Sequence, residues 1–224
     1  MSSVVSIHGV NGNLAGAGVI VAQELVLTCA HVVNTALGRA IEKQTRPDAE
    51  SEVEIRFAGT PNATVRARLD ANSDAWSAPP ATRAEGADLC LLKLEGTLPP
   101  GATVGRISPV TFEQEFDVRA SGYPAEWNNK HSALQLDVGI AKVLGVEGYL
   151  WILRADQGSW EAAIATGKRS AGLIYTGFSG GPVHARDTIV GLVAEARKEV
   201  RQATAYAIPA RNFPARYLLN PAKG

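Results

Sequence analysis

The sequence predicts an all-β protein, a sandwich or barrel, and three observations carry this. Runs rich in β-branched and apolar residues recur, as in Gly18-Val19-Ile20-Val21-Ala22 and Ile189-Val190-Gly191-Leu192-Val193-Ala194, and such runs suit a buried sheet. Other runs alternate with period two, as in Val53-Glu54-Ile55-Arg56-Phe57 and Thr64-Val65-Arg66-Ala67-Arg68-Leu69, the signature of half-exposed strands. Turn signals separate them at roughly the 8–12-residue spacing of sandwiches and barrels.

Taken in order, glycines punctuate Gly9 to Gly18, and strands follow at Gly18–Ala22 and Leu25–Thr28 across the turn Gln23-Glu24. Asn34-Thr35 is expected to cap a short helix running to about Lys43. After the two alternating strands, residues 70–87 read as loop, with Pro79-Pro80 among small polar residues. Leu89–Leu94 is the next strand, with Asp88 at its start. Gly96 to Pro109 is a connection marked by Pro99-Pro100-Gly101. Further strands are expected at Phe116 to Gly122, Leu134–Val143, Tyr149–Arg154, Ile189–Ala194 and Ala205–Pro209. Residues 155–170 are ambiguous between loop and a helical turn. Phe213–Leu219 reads as a short terminal helix with proline in its first turn.

The stretch Thr176-Gly177-Phe178-Ser179-Gly180-Gly181-Pro182-Val183 sets one serine among three glycines. Glycine tolerates positive φ, so backbone amides there can turn toward one point, as an oxyanion requires. A serine hydroxyl is a weak nucleophile at neutral pH. It needs a base, and the base needs an orienting partner. Histidine and aspartate are on offer in Val26-Leu27-Thr28-Cys29-Ala30-His31-Val32-Val33 and in Gly86-Ala87-Asp88-Leu89-Cys90-Leu91-Leu92-Lys93-Leu94. Asp70 and Asp74 compete with Asp88 on composition, but neither precedes an apolar strand.

These three stretches, in the order His, Asp, Ser, resemble those of trypsin-like (chymotrypsin-fold) serine peptidases. The resemblance runs from about Val4 to Pro209 and is nearest to bacterial HtrA-like catalytic domains without a PDZ domain. It implies two antiparallel six-stranded β-barrels with the active site between them, the first over 1–108 with His31 and Asp88, the second over 109–224 with Ser179 and the terminal helix. It further implies peptide-bond hydrolysis through an acyl-enzyme, with Ser179 as nucleophile, His31 as general base and acid, and Asp88 as its orienter. Gly177 and Ser179 would supply the oxyanion amides. Leu173 would floor the pocket for the residue preceding the scissile bond, favouring small or medium apolar side chains. Ala194, Glu195 and Ala196 would pair with substrate backbone, with Glu195 attracting a basic group at the rim. The chain departs from animal members at Phe178, where those carry an aspartate that pairs with the N-terminus freed by zymogen cleavage. Activation by loop ordering or by a partner is the expectation here.

Composition narrows the partners. Lys plus Arg and Asp plus Glu are 22 each in 224 residues, for a formal net charge of zero. No global field therefore favours nucleic acid or an anionic membrane. No apolar run reaches the ~20 residues of a membrane span, and MSSVVSIHGV lacks the basic and apolar regions of a signal peptide, so a cytoplasmic location is expected. Cys29 and Cys90 sit in apolar patterns and read as small buried hydrophobes. With four histidines and no Cys-x-x-Cys or His-Glu-x-x-His, no metal or cofactor is expected. A protein or peptide substrate is the expected partner. Two other readings of the same fold stand beside the free-standing protease: a regulated effector domain of a larger bacterial protein, with fused or associated regulatory domains, and a catalytically silent peptide-binding module.

Overall fold

The computed structural model describes residues 2–58, 60–82, 88–109, 115–124, 136–155, 161, 174–195, 204–215 and 218. Its strands form two closed antiparallel barrels of six strands each. The first comprises β1 (Val4–His8), β2 (Leu14–Ala22), β3 (Leu25–Thr28), β4 (Glu52–Phe57), β5 (Thr60–Leu69) and β7 (Leu89–Leu94), with the short β6 (Trp76–Ser77) added to the outside of β7. It runs β3-β2-β1-β4-β5-β7 and closes where β3 pairs back to β7, from Leu25 opposite Lys93 to Thr28 opposite Cys90. The second comprises β8 (Phe116–Gly122), β9 (Asp137–Glu147), β10 (Leu150–Ala155), β11 (Pro182–Ala185), β12 (Thr188–Glu195) and β13 (Thr204–Pro209). It closes in the order β10-β13-β12-β11-β8-β9.

The alternating pattern of β4 resolves as expected, with Val53, Ile55 and Phe57 buried and the intervening charges outside. On that outer face Glu52 lies opposite Arg68 and Glu54 opposite Arg66, pairing opposite charges across the strands. The main apolar cluster does not stop at the first barrel. It joins Ile20, Leu27, Val32 and Leu91 to Ile189, Leu192, Ile208 and Phe213 of the second half, so one continuous core cements the two barrels. The connection between them is stitched to both: Gly105 N–H donates to Ile20 O at 2.7 Å, and Ile189 N–H donates to Arg106 O at 2.8 Å.

Two local expectations need correction, and two strands went unread. The helix, α1, covers Ala30–Ala36 rather than starting after Asn34. Its start is stabilised from a distant strand, as described below, while the Asn34 amide reaches forward from within the helix to Ile41 O at 3.1 Å and Lys43 O at 3.0 Å. Asn34 thus organises the loop after the helix instead of capping it. Near the C-terminus the helical turn is Ala210–Asn212, and Phe213 is already extended, with ψ at 141°. Pro214 follows, and a proline disfavours helical backbone in the residue before it, so no helix starts at Phe213. Residues 216, 217 and 219 of that expected helix lie outside the described residues, as does nearly all of the ambiguous 155–170. Finally, β1 and β11 were not legible as strands. Ser6 and His8 are polar yet buried within β1, and β11 opens on Pro182, a residue tolerated at a strand's first position.

Candidate active site

Strand β3 ends at Thr28 and α1 begins at Ala30, which puts His31 in the first turn of a short helix. The residue before the helix, Cys29, has no capping side chain. Asp88 supplies the cap from the start of β7: its Oδ1 accepts from His31 N–H at 3.0 Å. Its Oδ2 lies 2.6 Å from the ring Nδ1 of His31. A carboxylate oxygen only accepts here, so Nδ1 carries the proton and Nε2 is left as the basic nitrogen. Asp88 is held in the left-handed region, at φ +43°, where aspartate is better tolerated than most residues. Its backbone is tied on both sides, by its N–H to Ala78 O and by its carbonyl to Ala30 N–H, each at 3.3 Å. The carboxylate is 8% exposed and the imidazole 16%, so the pair is shielded but still reachable from the cleft.

The serine loop is built of two successive turns that share Phe178. Phe178 N–H donates to Tyr175 O at 3.0 Å, and Gly181 N–H donates to Phe178 O at 2.8 Å. The third residue of each turn is a glycine at positive φ, Gly177 at +101° and Gly180 at +80°. That combination is the type II turn. Among the described residues, neither Gly177 N–H nor Ser179 N–H donates a hydrogen bond within the chain. The loop is clamped between the barrels: Ser179 O accepts from Ala17 N–H of β2, and Gly180 N–H donates to Val193 O of β12, both at 2.8 Å. The clamp also requires glycine at two positions for want of space. A Cβ on Gly180 would sit 2.2 Å from Ala17 O and from Thr28 Oγ1, and one on Gly181 would sit 2.0 Å from Ser121 O.

His31, Asp88, Gly177, Ser179, Ala194 and Glu195 all line one cleft of about 440 Å³ between the barrels. Leu173 and Ala196 lie outside the described residues. The cleft also has walls that sequence reasoning passed over: Ile41 and Glu42 after α1, Pro79 to Thr82 before β7, and Tyr149 at the β9–β10 turn. Pro79-Pro80 stood out in sequence only as a loop. Nothing in the sequence ties Tyr149 to the site, since its place depends on closure of the second barrel. Burial, with Asp88 and Cys29 nearby, pushes the Tyr149 phenol up from its ordinary value. At the cleft's end, β12 carries a bulge: Val193 pairs with Ala207 and Glu195 with Tyr206, which leaves Ala194 unmatched on β13.

Both thiols are buried, and burial pushes them well above the ordinary thiol range, with the Asp88 charge adding to the shift at Cys29. Cys29 Sγ donates to Val193 O at 3.4 Å, a packing role that ties the start of α1 to the second barrel. Ligand atoms of Cys29, His31 and Asp88 lie within 4.8 Å of one another. His31 Nδ1 carries its proton toward Asp88 Oδ2 at 2.6 Å, so that nitrogen has no lone pair to offer an ion. No helix among the described residues is long and apolar enough to cross a membrane.

Two six-stranded antiparallel barrels with a cleft between them define the chymotrypsin fold. The chain belongs to the family of trypsin-like peptidase domains, whose model matches residues 16–192. No curated protein matches the sequence. Among solved structures it is similar to the Rv3671c protease in its inactive form, at 18% identity over 94% of this chain and 84% of that one, with a TM-score of 0.56. The active form of the M. tuberculosis Rv3671c protease matches at 18% identity over 94% of this chain and 77% of that one, with a TM-score of 0.55. Kallikrein-related peptidase 10 matches at 18% identity over 93% of this chain and 90% of that one, with a TM-score of 0.60.

Proposed function

We propose that the chain is a serine endopeptidase acting through Ser179, His31 and Asp88. The observation that carries this reading is the 2.6 Å contact of Asp88 Oδ2 with His31 Nδ1 in the same cleft as Ser179. In this reading Ser179 Oγ adds to the substrate carbonyl carbon while His31 Nε2 takes the hydroxyl proton. The carbonyl oxygen becomes an oxyanion and accepts from the Gly177 and Ser179 amides. Return of the proton from His31 to the amine nitrogen expels the first product and leaves an ester on Ser179. Water, deprotonated by His31, then hydrolyses the ester. Asp88 keeps the proton on Nδ1 and stabilises the imidazolium that forms at each transfer.

The substrate in this reading is an extended peptide laid beside Ala194, which the β12 bulge leaves unmatched on β13, and its neighbour Glu195. Glu195 and Glu42 set carboxylates at the rim of the cleft, which favours a basic side chain near the scissile bond. The test is labelling by a fluorophosphonate probe, compared with Ser179→Ala and His31→Ala. Labelling lost in both variants supports the assignment. A well-folded wild-type chain that takes no label overturns it in favour of a regulated effector domain that needs its partner or a peptide-binding module.

A further inference from the structure

The oxyanion loop has few preferences of its own. Three of its residues are glycines, for which the alternative backbone conformations cost little, so something outside the loop must select the turn pair observed. Phe178 lies between the two unpaired amides and points away from them. Its side chain is fully buried in a wholly apolar cluster with Val118, Ala120, Leu153, Val183 and Val193 of the second barrel. Gly122, at the end of β8, makes the seat. A Cβ there would fall 2.5 Å from Phe178 Cα and 2.7 Å from its Cγ. The next residue, Tyr123, donates its N–H to Gly177 O at 3.2 Å.

The peptide planes follow. A trans peptide holds its N–H opposite its C=O. The Phe178 carbonyl is tied to Gly181 N–H, so the Ser179 N–H on the same plane is aimed the other way. The plane before it is tied at both ends, through Gly177 O to Tyr123 and through Phe178 N–H to Tyr175, and that fixes Gly177 on its C-terminal side. A buried ion pair would be another way to hold such a loop. Among the described residues the buried carboxylates are Asp70 and Asp88. Asp70 accepts from Asn72 N–H, and Asp88 is committed to His31.

We infer that Phe178 is a positioning residue: seated on Gly122, it pegs the oxyanion loop into the apolar core and keeps the Gly177 and Ser179 amides aimed at the cleft, with no charged partner for the loop among the described residues. This rests on the reading of Ser179 as nucleophile. The loop is then set by folding itself and needs no separate ionic step to become competent.

The experiment compares wild type with Phe178→Ala, Phe178→Val and Phe178→Leu on three readouts: the second-order rate of fluorophosphonate labelling, the low-field proton resonance of His31 Nδ1, and thermal unfolding. Losing one oxyanion donor costs about 10²–10³-fold. Phe178→Ala is therefore expected to label about 100-fold more slowly while keeping the His31 resonance, and Phe178→Leu to recover most of the rate. If the alanine variant does not fold, Phe178→Val carries the same expectation at about 10-fold. Folded variants that label within threefold of wild type overturn the inference. So does loss of the His31 resonance in step with labelling, which marks general loosening rather than loop positioning. Wild type that takes no label removes the nucleophile reading and this inference with it; wild type that labels beside unaffected variants removes only this one.

Discussion

Asp88 binds His31 twice, with Oδ1 on the backbone N–H at 3.0 Å and Oδ2 on the ring Nδ1 at 2.6 Å. One side chain thus starts helix α1 and sets the imidazole tautomer. The two jobs separate under substitution. Asp88→Asn keeps an oxygen for the helix amide and suits φ +43°, since asparagine also tolerates the left-handed region. Its amide nitrogen donates toward Nδ1, so the ring proton moves to Nε2. On the proposed mechanism turnover is expected to fall about 10⁴-fold, as for the same change in Ser-His-Asp enzymes, with little change in the melting temperature. Asp88→Ala loses the cap as well and is expected to cost a further ~1–3 kcal/mol of stability. Equal melting temperatures for the two variants would contradict the double role.

The second prediction concerns the clamp between the barrels. Gly180 and Gly181 stand where any Cβ would overlap backbone oxygen or Thr28 Oγ1 at 2.0–2.2 Å. Gly180 adds a φ of +80°. Gly180→Ala and Gly181→Ala are each expected to destabilise by more than about 3 kcal/mol, read by urea denaturation. Gly38→Ala is the control: it also has positive φ, +67°, but a Cβ there meets nothing within 4 Å, so it should cost about 1 kcal/mol. Equal losses at Gly180 and Gly38 would mean that torsion, not crowding, accounts for the glycine at 180.

The candidate site was legible where the residues that line the cleft sit in local motifs. His31, Asp88 and Ser179 each sit in a short motif that must place one side chain at the edge of a strand or turn, and such motifs survive in sequence. What was illegible depends on contacts far along the chain. Helix α1 starts early because its cap comes from Asp88, 57 positions beyond His31. Strand β1 hides because Ser6 and His8 satisfy each other inside the barrel, with Oγ and Nε2 3.0 Å apart. Tyr149 reaches the cleft only once β9 and β10 have closed with the other strands. The period-two patterns identified strands, but barrel closure through β3 and β7 leaves no local mark in either strand.

The thiols offer a third prediction. Cys29 and Cys90 are buried, and burial holds both well above the ordinary thiol range. Reactivity follows the thiolate. In the folded chain at pH 8 both are expected to react with iodoacetamide at least about 100-fold more slowly than free cysteine, and at the ordinary rate in denaturant. Rapid modification of Cys29 in the folded state would show that the thiol beside the His31–Asp88 pair is open to solvent, against its packing on Val193.

The last prediction is a pH dependence of stability set by two histidines outside the cleft. Burial lowers the pKa of both His8 and His184, and at His184 the nearby Arg119 lowers it further. His8 Nδ1 lies 3.0 Å from Gly12 O and Nε2 3.0 Å from Ser6 Oγ, a set the neutral ring satisfies when Nδ1 donates and the Ser6 hydroxyl turns to Nε2 rather than to Arg56 O at 3.4 Å. With the folded pKa below the unfolded one, the unfolded chain binds the proton first as pH falls. Stability is therefore complete above about pH 7 and is lost on acidification through the ~6.5 of a free histidine. The loss is expected to be roughly 1–2 kcal/mol between pH 7.5 and 5.5, bounded by the ~1.4 kcal/mol per pH unit that each fully titrating site contributes. Urea denaturation at the two pH values measures it, and His8→Gln, which cannot titrate, should flatten the slope by about half. An unchanged slope in that variant would place the acid sensitivity elsewhere in the chain.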